Sequence, residues 1–495
     1  MGKIRSVPSE TFVVEFPLKT EIWQEHILEC RFETGRKIYN ALLSMMLKQV
    51  KEMKKTRIYR NLIASLTGNK TKDKETWKKI NALRISYGLS EYGFSNKVTP
   101  MKQHFKGMLD IHTTQKISLS VWKAFEACFF HGGKKVHFKQ YNTMRSLEGK
   151  SNASGIRFKN NTIEWLSLKM PIITSKNNSY ETEALELHTI KYNRIIRKYV
   201  GHKYRYYVQI VFAGIPPAKR NKKTGMFSRV MGTGDVGLDI GTSTIAISSQ
   251  TNVKIIELAD KAIFPERKIR MLQRKLDRSQ RAINPSNYNK DGTIIKGNKR
   301  WIQSHNYIKT TEQLKEQYRK LSAVRKYEHE TLANFIMSLG DTFYVEEMNF
   351  QGLAKRANFS NENKLDKNGK PKRKKRFGKS IGNRSPAMLL EIINRKLGYF
   401  NKQIIKINTW EARASQFNHI ERTYKKKKLS QRWNYFNGYK VQRDMYSAFL
   451  IMNINPDLKT FNLDKCNERF EYFYELHNQE VKRLQGNKNL SSIAI

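Results

Sequence analysis

The stretch D-V-G-L-D-I-G-T-S-T-I-A-I-S-S, residues 235–249, decides the reading of the second half of this chain. Two nearly continuous apolar runs flank a Gly-Thr-Ser turn. That pattern predicts a hairpin of two well-covered strands. One residue breaks it. Asp239 stands inside the first run, and a carboxylate in a hydrophobic strand costs free energy unless a cation or hydrogen bonds compensate.

Outward from this hairpin, residues 265–283 and 308–340 read as two long helices rich in Arg, Lys and Gln. A polar loop, residues 284–300, separates them. DTFYVEEMN, from 341, is a short strand ending on Glu346 and Glu347. Residues 354–384 are strongly basic, contain PKRKKR and read as a loop, with 361–376 as a nucleic-acid clamp or a disordered surface. A helix is predicted over 386–400, a strand over 403–408, and a helix over Arg443 to Met452 that opens at Asp444. Upstream, ETFVVEFPL (10–18) alternates as a strand does. Leu28, Phe32, Tyr39, Leu42, Leu43, Met46 and Val50 then fall at helical spacing. Helical character continues to about residue 130, with breaks near Gly68, Gly88 and Pro100. From about Gly155 the texture is that of strands: 156–170, 184–192 and 204–214. A β unit is thus interrupted by a helical insert and resumes. Pro216-Pro217 and AKRNKKTG read as a linker to the second half.

The 495 residues carry 93 Lys and Arg against 43 Asp and Glu, a formal charge of +50. Such a surface repels itself unless a polyanion neutralises it, which points to nucleic acid. At 39% hydrophobic and 11% aromatic residues a real core is available, so wholesale disorder is excluded. No run of 18 apolar residues exists, so no membrane span is expected. Cys30, Cys128 and Cys466 lie too far apart for a disulfide framework or a paired-cysteine metal knuckle, and a reducing, cytosolic setting is expected.

Asp239, Glu346 with Glu347, and Asp444 share an apolar context. Each has a plain structural explanation as a strand-end acid, or, for Asp444, as a helix cap. Together they adjoin β units that could share one sheet. Carboxylates converging at neighbouring strand ends form a hard oxygen cage suited to Mg²⁺ or Mn²⁺. Two such ions roughly 3.5–4 Å apart can serve phosphodiester cleavage.

The motifs extend this reading. GLDIGTSTIAIS (237–248) resembles the first RuvC motif of an RNase H-like nuclease, YVEEMNFQGL (344–353) the second, and VQRDMYSAFLIMN (441–453) the third. The order is that of the TnpB family, RNA-guided nucleases of insertion sequences related to compact type V CRISPR effectors. RKIRMLQRKLDRSQ and LSAVRKYEHETLANFI resemble the arginine-rich helical pair between the first two motifs, and ASQFNH with LSQRWNYF the segment before the third. The resemblance implies an α/β multidomain chain. Residues 1–25 and 151–225 would form a β-barrel-like wedge domain, and 26–150 a helical recognition insert. Residues 232–495 would form an RNase H-like (RuvC) domain with a mixed sheet, a helical insert at 265–340 and a cysteine-free ribbon-like insert at 415–440.

Carried over by position, Asp239, Glu346 and Asp444 match the catalytic, metal-binding triad, with Glu347 as the alternative second acid. Gly241 matches the turn glycine, where a Cβ would crowd the hairpin. Arg274, Arg278 and Arg325 fall in the basic helices, and Arg432 matches a residue that loads the target strand. The resemblance implies Mg (or Mn), a guide RNA and target DNA as partners, no membrane, and a cytoplasmic, nucleoid-associated setting in a bacterial-type cell. Two departures stand out. The zinc ribbon's cysteines are missing, with Asn418, His419 and Glu421 near the first pair's place, so no zinc is expected and Trp433, Tyr435 and Phe436 are expected to hold the loop by packing. Tyr446 replaces the asparagine two residues after the last Asp, which bears on target-strand loading. Rival readings are a type V CRISPR-like effector, a non-cutting RNA-guided repressor and, more distantly, an actin-like ATPase or kinase, whose phosphate hairpin D-x-G-T-S-T also fits.

Overall fold

The computed structural model describes residues 10–69, 71–130, 135–175, 178–201, 203–221, 223–224, 226, 230–297, 299–354, 377–428 and 431–486. The basic loop expected at 361–376 lies outside them. The chain divides into two compact units, Met1–Lys222 and Lys223–Ile495, and the segment read as a linker spans that division.

In the first unit, β1 (Thr11–Pro17) buries Phe12, Val14 and Phe16, the alternation its sequence shows. Helix α1 (Ile22–Lys55) buries the stripe Leu28, Phe32, Tyr39, Leu42, Leu43 and Met46. Five shorter helices follow: α2 (Arg57–Ala64), α3 (Lys74–Ser86), α4 (Glu91–Asn96), α5 (Val98–His104) and α6 (Ile111–Phe130). Gly68 and Gly88 separate helices as expected. Pro100 does not, because it is the third residue of α5 and its missing N–H has no partner within the helix there.

Strands β2 (Ser146–Glu148), β3 (Arg157–Lys159), β4 (Thr162–Trp165) and β5 (Leu168–Pro171) come next, then α7 (Ser179–Leu187), β6 (Ile190–Val200) and β7 (Lys203–Ala213). Asn160 and Asn161 both adopt positive φ, 48° and 55°, which suits the tight turn joining β3 to β4. Ala184 to Leu187 corrects the strand reading of 184–192: they end a helix whose glutamates favour it, and the strand starts only at Ile190. The strands form one antiparallel sheet in the order β1-β7-β6-β2 and a separate one, β3-β4-β5. The barrel-like expectation is corrected accordingly: among the described residues these are open sheets, and no barrel closes.

The second unit carries a five-stranded mixed sheet. Its strands are β8 (Asp235–Ile240), β9 (Thr244–Ser249), β10 (Val253–Glu257), β11 (Thr342–Glu346) and β12 (Ile405–Ile407), in the order β10-β9-β8-β11-β12. The first three pair antiparallel, while β11 runs parallel to β8 and to β12. The helices are α8 (Glu266–Ile283), α9 (His305–Met337), α10 (Phe350–Ala354), α11 (Gly378–Arg384), α12 (Pro386–Gly398), α13 (Thr409–Ala412), α14 (Arg443–Met452) and α15 (Leu463–Gln485). Two small hairpins, β13 (Phe417–Asn418) with β14 (Thr423–Tyr424) and β15 (Trp433–Phe436) with β16 (Tyr439–Gln442), make the ribbon-like insert.

Val236, Leu238 and Ile240 of β8 pack with Ala333 and Ile336 of α9 and Leu389, Ile393 and Leu397 of α12. The other face of β8 receives α14, whose residues Met445 to Met452 are all buried. Helix α15 lies beyond the motifs, yet its buried residues Cys466, Phe470, Phe473, His477, Glu480 and Leu484 recur every three or four positions. It covers the sheet edge: the Glu480 carboxylate accepts the N–H of Ile255 in β10 at 3.1 Å.

Candidate carboxylate site

Strand parity places the first two acids. Leu238 of β8 pairs in parallel with Val345 of β11, so Asp239 and Glu346 stand side by side one residue further on. Leu238 and Val345 point into the α9–α12 core, so the next residues point to the α14 face. Gly237, on that same face, is where α14 arrives. A Cβ there would lie 2.5 Å from the Met452 nitrogen and closer still to the Ala448 carbonyl. Two residues along a strand advance roughly 6.6 Å, and four along a helix roughly 6 Å. The step from Gly237 to Asp239 therefore matches the step from Ala448 back to Asp444, and the third acid is laid beside the first.

The electrostatics agree. The Asp239 carboxyl is held well above the ordinary carboxylate range; burial is the main cause, the charges of Asp444 and Glu346 add to it, and the Arg443 and Arg432 guanidiniums oppose it. Burial also raises Glu346, opposed by a hydrogen bond from the Ala414 N–H. Asp239 keeps partial solvent access although protein surrounds it closely.

Asp444 does not cap its helix. Gln442 does, its side chain accepting the Met445 N–H at 2.8 Å. The Asp444 carboxylate instead meets Arg432 Nη1 at 3.2 Å and Arg443 Nε and Nη2 at 3.0 and 2.9 Å. Arg443 escaped the sequence reading although it precedes Asp444 directly. The donor chemistry suits a hard divalent cation: three carboxylates, two raised by burial, make a negative focus that such an ion would relieve. Among the described residues, however, no three acidic, His or Cys side chains already surround one point.

Glu347 lies exposed beyond the strand end, 3.3 Å from Lys406 Nζ, away from this cluster. Gly241 has ordinary room: a Cβ would sit 3.4 Å from the nearest atom, the Thr244 carbonyl. The crowded glycine is Gly237. Arg274 and Arg278 are exposed on α8 and, with Arg267, Arg270, Met271 and Glu266, line an open groove of about 610 Å³. Arg325 donates to the Gly382 carbonyl and Ser385 Oγ at 2.9 and 2.7 Å, tying α9 to the turn before α12.

Tyr446 is 1% exposed and lies two residues, roughly 200° of helix, from Asp444. Its hydroxyl bonds His419 Nδ1 at 2.6 Å and accepts the His419 N–H at 3.1 Å. Phe436, Phe449 and Phe470 surround that imidazole. The ribbon-like insert is therefore anchored by His419 and Phe436. Tyr435 is 70% exposed and takes no part, and Trp433 lies edge-on to His477.

No protein-family model matches the chain. No curated protein matches it either. Among solved structures, it is similar to the chain of a Cas12f1–sgRNA–target DNA complex, with a TM-score of 0.42 and 10% identity over 90% of this chain and 99% of that one. It is also similar to a CRISPR-Cas12f ternary complex, with a TM-score of 0.23 and 13% identity over 89% of this chain and 86% of that one.

Proposed function

We propose that this chain is an RNA-guided DNA endonuclease of the TnpB type, associated with a transposon, in which Asp239, Glu346 and Asp444 form the catalytic centre. One observation carries the reading: β8, β11 and α14 bring three carboxylates near enough that, after burial, the charges of Asp444 and Glu346 raise Asp239. An acid cluster with that internal repulsion, in a chain of charge +50, suits phosphodiester chemistry on a polyanion. Lysines and arginines hold the backbone, and the guide's base pairing reads the target sequence. Asp239, Glu346 and Asp444 would hold Mg²⁺ or Mn²⁺, which when bound supplies an activated water and charge neutralisation. The Arg432 and Arg443 guanidiniums donate to the Asp444 carboxylate and hold it in place.

The test is purification of the full chain, sequencing of the RNA that comes with it, and incubation with a matching DNA duplex in Mg²⁺. Cleavage by the parent and none by Asp239→Ala, with RNA retained in both, supports the reading. Undiminished cleavage by Asp239→Ala refutes this site. A transcript from the gene's 3′ flank indicates the transposon form, and repeat-spacer RNA a CRISPR-like effector.

A second reading, an RNA-guided DNA binder that does not cut, has its own support. Asp444 is already engaged by two arginines, and the three acids do not close around a point. It expects equal target binding with no product in Mg²⁺.

A further inference from the structure

Trp410 is 91% exposed, more than any other large hydrophobic side chain among the described residues. Burying an indole is worth several times more than burying a methyl group, and Trp165 and Trp122 are buried in the first unit. A scattered exposed aromatic needs no explanation by itself. The position of Trp410 is what asks for one.

The indole is carried by α13, a short turn of helix fastened at both ends to the strand end that bears Glu346 and Glu347. On the near side, β12 pairs with β11 so that Ile407 stands opposite Glu346, and the Thr409 hydroxyl donates to the Glu347 carbonyl at 3.4 Å. On the far side, the Ala414 N–H bonds the Glu346 carboxylate. Between these anchors Asn408 Oδ1 caps the turn, accepting from the N–H groups of Trp410 and Glu411 at 3.1 and 3.4 Å. The indole thus stands on a rigid mount beside the carboxylate cluster, with its ring in water.

The neighbouring sequence is basic. Residues 402–428 contain Lys402, Lys406, Arg413, Arg422 and the run Lys425 to Lys428 against only Glu411 and Glu421, with Lys402 paired to Asp341 and Lys406 to Glu347. The Arg413 guanidinium lies over the Tyr424 ring at 4.4 Å, and the Lys425 N–H bonds the Gln416 carbonyl at 2.9 Å, so the lysine run starts beside α13. Lys427 is near enough to Arg443 to be lowered by its charge, after burial. An exposed flat ring on a fixed mount, beside a basic arm, is the chemistry that takes an unpaired nucleobase while cations track its backbone.

We propose that Trp410 is a base-stacking platform that positions single-stranded nucleic acid beside Asp239, Glu346 and Asp444. The proposal rests on the nuclease reading for its purpose and is measured separately from it. In this role Trp410 positions the strand and takes no part in the chemistry.

The test compares the full-length parent, Trp410→Ala and Trp410→Phe in binding a labelled oligothymidylate and an abasic strand of equal length. Stacking predicts that Trp410→Ala binds the oligothymidylate about tenfold more weakly, roughly 1.4 kcal/mol, and loses the preference over the abasic strand. Trp410→Phe should keep most of both. The salt dependence should not change, because no charge is lost. A purely structural role would weaken both strands alike. Equal oligothymidylate binding by parent and Trp410→Ala, or equal loss on both strands, overturns the proposal. Cleavage by Asp239→Ala is the separate arm: its persistence would overturn the catalytic assignment and leave the stacking result standing.

Discussion

At the scale of single residues, Asp239 and Gly237 decide the site. A carboxyl held above its ordinary value binds its proton more tightly in the folded state than in the unfolded one. Its contribution is therefore fully present below the unfolded value, ordinarily 3.8, and is lost as pH rises through the folded one. Asp239→Asn removes that loss. Thermal melts should show the variant more stable than the parent near neutral pH, by about 0.5–2 kcal/mol as is common when a functional group is removed. The difference should shrink in acid, and a variant less stable at neutral pH contradicts the assignment. Gly237→Ala drives a methyl into the backbone of α14; denaturant titration should show a loss of about 3 kcal/mol or more, or no folded protein. Gly241→Ala should stay within about 1 kcal/mol of the parent. The three acids stand out in the sequence because each adjoins an apolar run: Asp239 lies inside one, Glu346 at the end of one and Asp444 at the start of one. The choice between Glu346 and Glu347 was not, because one step along a strand reverses the face and only the β8–β11 register tells which step is inward.

At the scale of elements, the ribbon-like insert and α8 carry the next expectations. His419 is buried, and burial pushes its imidazole down to about 4 from an ordinary 6.5. Below pH 6.5 the unfolded state takes up a proton that the folded state refuses, so stability falls from there towards pH 4. The full shift corresponds to roughly 3 kcal/mol. Hydrogen exchange should report earlier opening of residues 417–442 in that window, and His419→Gln should reduce the pH dependence, leaving the part due to buried His477, which accepts the Gln442 N–H. Tyr446→Phe removes the hydroxyl that serves the His419 backbone N–H and Nδ1 and should cost about 1–3 kcal/mol. On α8, Arg274→Ala with Arg278→Ala should weaken nucleic-acid binding and lower the log–log salt slope by about 2. Helices α1, α8 and α9 were legible from their periodicity, and α14 to the residue; α15 was not singled out, although its buried residues recur every three or four positions. The helix over Ala184 to Leu187 was not, because so short an apolar run fits either period and neighbouring packing chooses. The role of Tyr446 was hidden too, since a motif position does not say which side of a helix meets the sheet.

At the scale of the whole molecule, the dominant quantity is the charge of +50. Binding to nucleic acid should weaken steeply with salt, and EDTA should stop cleavage while leaving that binding intact; a loss of both together would argue against separate backbone and metal chemistry. No helix among the described residues is long and apolar enough to cross a membrane. By itself the sequence determined the charge of +50, the period of most elements and three acids in suspicious contexts, because composition and spacing are local properties of a chain. Only the tertiary structure decided that β8 lies between β9 and β11, that α14 lies against Gly237, and that Asp444 meets arginines rather than its own helix end. Those facts depend on which distant segments share a face, and hydrophobic burial settles that for the sheet and its helices all at once.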